Sequence, residues 1–124
     1  MTDAQRLGRL EPLTDAVEFL PSSGGCVVSL SILDGVQLRW AFREPGVTPA
    51  DNGWRFLGAT DTQEYTDDPA NQRIRTFNTV ANIEPAVLEI SGAPVGTDLQ
   101  LVIEDGRRTW YDNSTGRPLV IPGH

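Results

Sequence analysis

The clearest pattern in the chain is an alternation of apolar and other side chains over Val36–Arg43. Apolar residues stand at every second position, Val36, Leu38, Trp40 and Phe42. Successive side chains of a strand point to opposite faces, so this period of two predicts a β-strand with one apolar face buried. We therefore expect these four side chains to share the face that packs into the core.

Other segments have the length and composition of short strands. The Asp105-Gly106 pair between the last two long ones is typical of a tight turn in a β-hairpin. Twelve glycines and nine prolines also favour many turns and short elements. Five more strands are predicted at Gly25–Leu30, Trp54–Leu57, Arg73–Asn82, Asp98–Ile103 and Arg108–Tyr111, and Pro118–Ile121 would make a seventh.

Helical signals are fewer and shorter. The spacing of apolar residues predicts a short helix over Asp15–Leu20, and Pro85 suits the first position of a second one over Glu84–Ile90. Ser31–Gly35 fits either a continued strand or a single helical turn that ends at its glycine. The predicted helices would cover one face of the sheet.

Two polar segments are expected to be loops. Glu44–Gly53 is rich in proline and glycine, and it joins two aromatic strands as a long hairpin. Asp61–Asn71 could hold one helical turn, but its Asp68-Pro69 pair favours a structured loop. Strands joined by tight turns pair antiparallel, so the predicted fold class is α+β: a mainly antiparallel sheet of six to seven short strands with one to three short helices.

The length of 124 residues is that of one domain. We expect residues 1–24 to form an N-terminal extension or short helix, and residues 25–124 to form one α+β domain that includes a C-terminal hairpin. No apolar run reaches the length of a membrane span, and the N-terminus lacks the pattern of a signal peptide. The expected location is therefore the cytoplasm.

The chain is acidic, with 17 Asp and Glu residues against 10 basic residues and a net charge of −7; all ten basic residues are arginine. An acidic surface repels nucleic acids and anionic membranes and attracts basic partners. The same acidity would also serve solubility alone. We therefore expect no nucleic-acid or membrane partner, while a basic protein partner and simple solubility both remain open.

Residues for catalysis or metal binding are scarce. Cys26 is the only cysteine and His124 the only histidine, so the chain offers neither an internal disulfide nor a zinc site of familiar composition. A Ser-His-Asp or Cys-His arrangement would depend on a histidine at the end of the chain, which is a poor position for an oriented base. No glycine-rich phosphate loop occurs. We expect no catalytic residues, no metal and no cofactor.

One stretch, Asp51–Asn71, combines aromatic residues with five acids and one arginine. Its acids match neither the spacing nor the central glycine of a calcium loop. Core packing is the favoured interpretation of Trp54, whereas Tyr65 fits the core and an interface equally well. The eight residues predicted to contact a partner are Asp51, Trp54, Arg55, Asp61, Glu64, Tyr65, Asp67 and Asp68.

Six segments carry a resemblance to a known bacterial family. They agree with it in order and spacing, although the family usually has serine where this chain has Asn52. They are GCVVS at Gly25–Ser29, WAFRE at Trp40–Glu44, DNGWRF at Asp51–Phe56, EYTDDPAN at Glu64–Asn71, TFNTVANIEPAVLEI at Thr76–Ile90 and APVGTDL at Ala93–Leu99. From Gly25 to Leu99 the chain thus resembles immunity-protein family 33, while the N-terminal residues and the hairpin from Ile103 lie outside the resemblance.

The resemblance implies a non-enzymatic protein that neutralises a cytoplasmic bacterial toxin by direct binding. An acidic inhibitor would suit a basic toxin, because opposite charge speeds association. Two alternatives remain open from the residues themselves. One is a protein-interaction or scaffold module with another role, and the other is a small-ligand binder whose pocket would include Trp54, Arg55 and Tyr65.

Overall fold

The structure, a computed structural model, describes residues 24–119. The helix predicted over Asp15–Leu20 and the end of the strand predicted over Pro118–Ile121 lie outside this range. Seven strands form one sheet: β1 Gly25–Ser29, β2 Leu38–Arg43, β3 Asp51–Gly58, β4 Gln72–Thr76, β5 Asp98–Glu104, β6 Arg107–Asp112 and β7 Arg117–Pro118. The helices are α1 Leu30–Leu33, α2 Gln63–Asp67 and α3 Phe77–Ile83, with 3₁₀ helices at Pro69–Asn71 and Pro85–Ile90.

The strand order across the sheet is β4-β1-β3-β2-β5-β6-β7. Every neighbouring pair is antiparallel except β1 and β3, which run parallel. This arrangement, with its few short helices, confirms the predicted α+β class. The long hairpin expected between the two aromatic strands is present as β2 and β3, although β3 begins at Asp51 and shortens the loop to residues 44–50.

The core lies between the sheet and the helices that follow β4. Phe56 of β3 is its centre: its ring stacks on Trp54 at 5.9 Å and meets Phe77 of α3 at 6.0 Å. The 3₁₀ helix Pro85–Ile90 adds Val87 and Ile90 to the same cluster. Burial of these large side chains supplies most of the driving force for folding, at about 1.5–3 kcal/mol for each one.

The prediction that the apolar residues of Val36–Arg43 share one buried face is wrong for the second half of the segment. Leu38 and Ala41 are the buried residues of β2, whereas Trp40 and Phe42 are half-buried on the other side. The cause is an irregularity of the β-bulge type: Leu38 pairs with Gly58 but Trp40 pairs with Leu57, so two steps on β2 match one on β3. An extra residue reverses the facing of everything beyond it.

The strand predicted over Arg73–Asn82 is correct only as far as Thr76. There the chain turns into α3, because the Thr76 side chain caps the helix by accepting from the Thr79 backbone N–H at 3.1 Å. Phe77, Val80 and Ala81 are buried at helical spacing. The alternation of side chains along the strand continues into α3 in the sequence, so the pattern did not indicate the change from the strand period to the helical period.

Three further segments are helical. Ser31–Gly35, which fitted two structures, contains the end of α1, and Ser29 caps that helix. The helix predicted over Glu84–Ile90 exists as the 3₁₀ helix Pro85–Ile90, with its proline at the start. Asp61–Asn71, for which a loop was favoured, instead contains α2 and the 3₁₀ helix Pro69–Asn71.

The hairpin of β5 and β6 is built into the same core. Its turn has positive φ angles of 51° at Asp105 and 78° at Gly106, which the sequence pair predicted. Trp110 is buried, and its Nε1–H donates to the Ala86 carbonyl at 3.0 Å. Arg108 pairs with Glu84 at 2.8 Å, so the hairpin is fastened to the helical layer as well as to β2.

Candidate interaction surface

The first half of the Asp51–Asn71 stretch is organised by one buried arginine. Arg55 lies on β3 with only 10% of its side chain exposed, and both of its terminal nitrogens donate to the two oxygens of Asp51 at 2.8 Å. Its Nε donates to Glu44 at 2.8 Å. Paired, hydrogen-bonded charges of this kind are tolerated in a protein interior, whereas a single unpaired one is not.

Asp51 connects this ion pair to the loop before β3. Its carboxylate accepts from the backbone N–H groups of Val47 and Gly53, each at 2.9 Å. Hydrogen bonds from Arg55 hold the pKa of this carboxyl well below its ordinary value. Gly53 has a φ of +90°, and a Cβ there would lie 2.1 Å from the Glu44 carbonyl oxygen, so the turn requires glycine.

Trp54 is also a structural residue. It is 1% exposed, and its Nε1–H donates to the Ser91 carbonyl at 3.3 Å. Trp54 and Arg55 are buried and leave almost no surface to offer a partner, so we assign these two residues to the support of a contact surface. Asp51 is only half-buried, and its part in a contact stays a prediction.

The second half of the stretch is mostly exposed. Asp61 is half-buried, because its Oδ2 accepts from the Gly58 N–H at 2.7 Å and closes the turn after β3. Beyond it, Glu64 and Asp67 of α2 and Asp68 after it are exposed, and Tyr65 between them is half-buried. Four of the eight predicted contact residues therefore come together on one short helical segment.

This exposed segment is held in a fixed shape by its own polar side chains. Thr62 caps α2 by accepting from the Tyr65 N–H at 3.1 Å, and Asp68 caps the following 3₁₀ helix through the Ala70 N–H at 2.9 Å. The Asn71 amide donates back to the Tyr65 carbonyl at 2.9 Å. The last helical turn is thus closed onto the chain that enters β4, and its carboxylates are presented at defined positions.

An apolar pocket of about 200 Å³ lies beside Asp51 of the ion pair. Asp51 contributes to its wall, whereas Trp54, Arg55 and Tyr65, which the sequence suggested for a small-ligand pocket, do not line it. Sequence reasoning missed this pocket. Its only signal was an isolated apolar residue in each of two polar segments, and single exposed apolar residues are common in proteins. The pocket is lined by Gly25, Cys26, Val27, Val47, Thr48, Ala50, Asp51 and Ile74.

Cys26 has the properties of a core residue. It is buried, and its thiol donates to the Arg75 carbonyl at 3.4 Å. Burial raises the pKa of Cys26 to about 12, so the thiol stays protonated at neutral pH. Within residues 24–119, His, Cys, Asp and Glu side chains form no group of three that could hold a metal ion.

A comparison with protein-family models matches residues 26–112 to the family described as "Immunity protein Imm33 domain". No curated protein and no solved structure matches the chain. The matched range runs past Leu99, where the resemblance drawn from the sequence ended. It includes the hairpin of β5 and β6, in agreement with the core contacts of Trp110. Among residues 24–119, no helix has the length and apolar character needed to cross a membrane.

Proposed function

The chain belongs to the Imm33 family of immunity-protein domains, and from that membership we propose that it neutralises a bacterial toxin by binding it directly. It does so in the cytoplasm and without catalysing a reaction. The observation that carries the proposal is the match of the immunity-protein domain to more than half of the chain. The family implies a toxin as partner in general, and the contact surface is our own assignment.

The proposed contact surface is the acidic segment, which we define as Glu64, Tyr65, Asp67 and Asp68. Its three carboxylates are exposed and its backbone is fixed by the caps of α2 and of the 3₁₀ helix. A rigid surface loses little conformational entropy on binding. The segment also contributes to the net charge of −7, which would steer a basic toxin towards it.

The test begins with the protein encoded beside this chain's gene. That product is expressed alone and together with this chain, and cell growth is measured. We expect the product to be toxic alone and harmless with its partner, and the two purified proteins to bind in calorimetry. A product that is harmless alone and does not bind would overturn the proposal, and other partners found instead would favour a general interaction module.

The contact surface is tested with a variant that removes charge but keeps shape. Glu64→Gln, Asp67→Asn and Asp68→Asn are combined, and asparagine preserves the cap at position 68. We expect binding to weaken at least tenfold, mainly through slower association at low salt.

The matched control removes three exposed carboxylates elsewhere, by Asp34→Asn, Glu104→Gln and Asp105→Asn. It lowers the net negative charge by the same amount, so it separates a local contact from a general effect of charge. We expect it to bind within about threefold of the wild type, since distant charges are screened beyond about 8 Å at physiological salt. Equal losses in both variants would show that the acidic segment is not the contact.

A further inference from the structure

The apolar pocket beside β1 lies next to two unusually exposed hydrophobic side chains. Val47 at its rim is 84% exposed and Ile74 is 76% exposed. They belong to a group of only four large hydrophobic residues that are exposed among residues 24–119. An exposed apolar rim around an apolar concavity is typical of a site where another molecule is bound.

The pocket and the acidic segment are joined by β4. The acidic segment ends at Asp68, the 3₁₀ helix Pro69–Asn71 follows it, and β4 then begins at Gln72 with Ile74 as its middle residue. Ile74 pairs with Val27, which pairs with Arg55, so all three side chains share one face of the sheet. Adjacent residues of a strand face opposite sides, so Arg73 and Arg75 leave β4 on the side away from the pocket.

An acidic side chain also stands in the loop that supplies Val47 to the pocket. Glu44 is in the same loop as Val47 and leaves 52% of its side chain exposed, although one of its oxygens pairs with Arg55. Glu44 and Asp51 both pair with Arg55, and Asp51 forms part of the pocket wall, so Glu44 lies near that wall. The acidic segment precedes β4, the strand that supplies Ile74 to the pocket. Anchor pockets of protein interfaces have this arrangement, with an apolar centre and a charged rim.

From this arrangement we propose that the pocket receives one apolar side chain, of phenylalanine or leucine size, that projects from a basic surface of the toxin. This inference rests on the proposed function, and it names the contact that would anchor the toxin on this protein. The volume fits the assignment, because a cavity of about 150 Å³ accommodates a benzene ring and this pocket measures about 200 Å³.

Other occupants agree less well with the surroundings. A drug-sized ligand takes a pocket of roughly 300–1,000 Å³ with several convergent polar groups, and this pocket is smaller and almost wholly apolar. A second copy would bring another net charge of −7 against the same acidic rim. Strand addition at β4 would compete with Arg75, whose side chain already donates to the Ile74 carbonyl at 2.9 Å.

The test compares substitutions that change polarity but not charge. Val47→Ser and Ile74→Thr are combined, and the threonine keeps the β-branched shape suited to a strand. The control is Val95→Ser, which changes a 56% exposed valine in the turn before β5. Affinity for the neighbouring gene's product is measured by calorimetry, and thermal unfolding checks that all variants are folded.

We expect the double variant to bind that product at least tenfold more weakly and the control to bind like the wild type. In the wild-type protein, the methyl NMR signals of Val27, Val47 and Ile74 should shift when the product is added, while that of Val95 should not. Unchanged affinity of the double variant, or self-association of the wild type that the double variant abolishes, would overturn the inference. Absence of any binding by the wild type would instead refute the proposed function.

Discussion

Two halves of one acidic stretch behave differently in this structure. In β3, the charges of Asp51 and Arg55 are buried against each other and support the fold. Nine to thirteen residues after Arg55, the carboxylates of Glu64, Asp67 and Asp68 lie on an exposed helical segment. The first group could not be removed without disturbing the core, whereas the second is open to a partner.

The difference shows that charge composition alone does not identify a contact surface. What separates the two halves is the partner of each carboxylate: both oxygens of Asp51 accept from an arginine, while Asp67 accepts from the neighbouring Gln63 amide at 2.7 Å. An exposed hydrogen bond of this kind contributes little to stability, since water competes for it. Substitutions in both halves measure how far the buried half supports the fold and the exposed half does not.

The largest effect is expected at Trp54. Trp54→Ala should lower the free energy of unfolding by about 3–5 kcal/mol, because it leaves a cavity beside Phe56 and removes a stacked ring. Urea denaturation measures the change. Tyr65→Ala in the exposed half is the comparison, and a similar loss there would show that the second half is also structural.

Arg55→Met should cost about 3 kcal/mol, because it leaves Asp51 with a buried charge and no counter-ion. The double variant Asp51→Asn with Arg55→Met should be more stable than the sum of the two single losses predicts, since the two residues act as one pair. The same denaturation experiment measures both. Additive losses would contradict the assignment of this pair as a coupled structural unit.

The pH dependence of stability should also trace to Asp51. Its pKa is lower in the folded chain than its ordinary value of 3.8, so the carboxylate stabilises the fold above that pH, and this contribution is lost as the pH falls below it. We expect Asp51→Asn to be about 1–3 kcal/mol less stable than the wild type at pH 7. The gap should narrow steadily as the pH falls from about 4, near the ordinary pKa of the carboxyl, towards the lowered pKa that Asp51 has in the folded chain. A constant gap across this range would mean that Asp51 does not titrate with unfolding.

The fold class was predictable because it depends on local signals. The turn at Asp105-Gly106 and the proline that starts the helix at Pro85 act within a few residues, and both were read correctly. The bulge between Leu38 and Trp40 and the start of α3 at Phe77 were not. A bulge depends on the register with β3, and the helix start replaced a strand pattern that continued without interruption.

The candidate site also has parts that follow from local sequence and parts that depend on contacts between distant segments. Exposure of Asp67 and Asp68 follows from local polarity, and sequence reasoning placed both at the surface. The pairing of Arg55 with Glu44 joins β3 to the loop before it, and the pocket at Ile74 and Val47 forms only when β1, β4 and that loop meet. Such features depend on contacts between distant parts of the chain, which no local pattern reports.

The smallest effect on stability should come from the acidic segment itself. The combined variant Glu64→Gln, Asp67→Asn and Asp68→Asn should change the free energy of unfolding by less than about 0.5 kcal/mol, because exposed charges without buried partners contribute little. Asparagine keeps the acceptor for Gln63 at position 67 and the cap at position 68. Urea denaturation of this variant beside Asp51→Asn, which changes one carboxyl instead of three, provides the test. If the triple variant loses as much stability as the single one, the acidic segment supports the fold as β3 does, and weaker toxin binding by that variant could no longer be assigned to a lost contact.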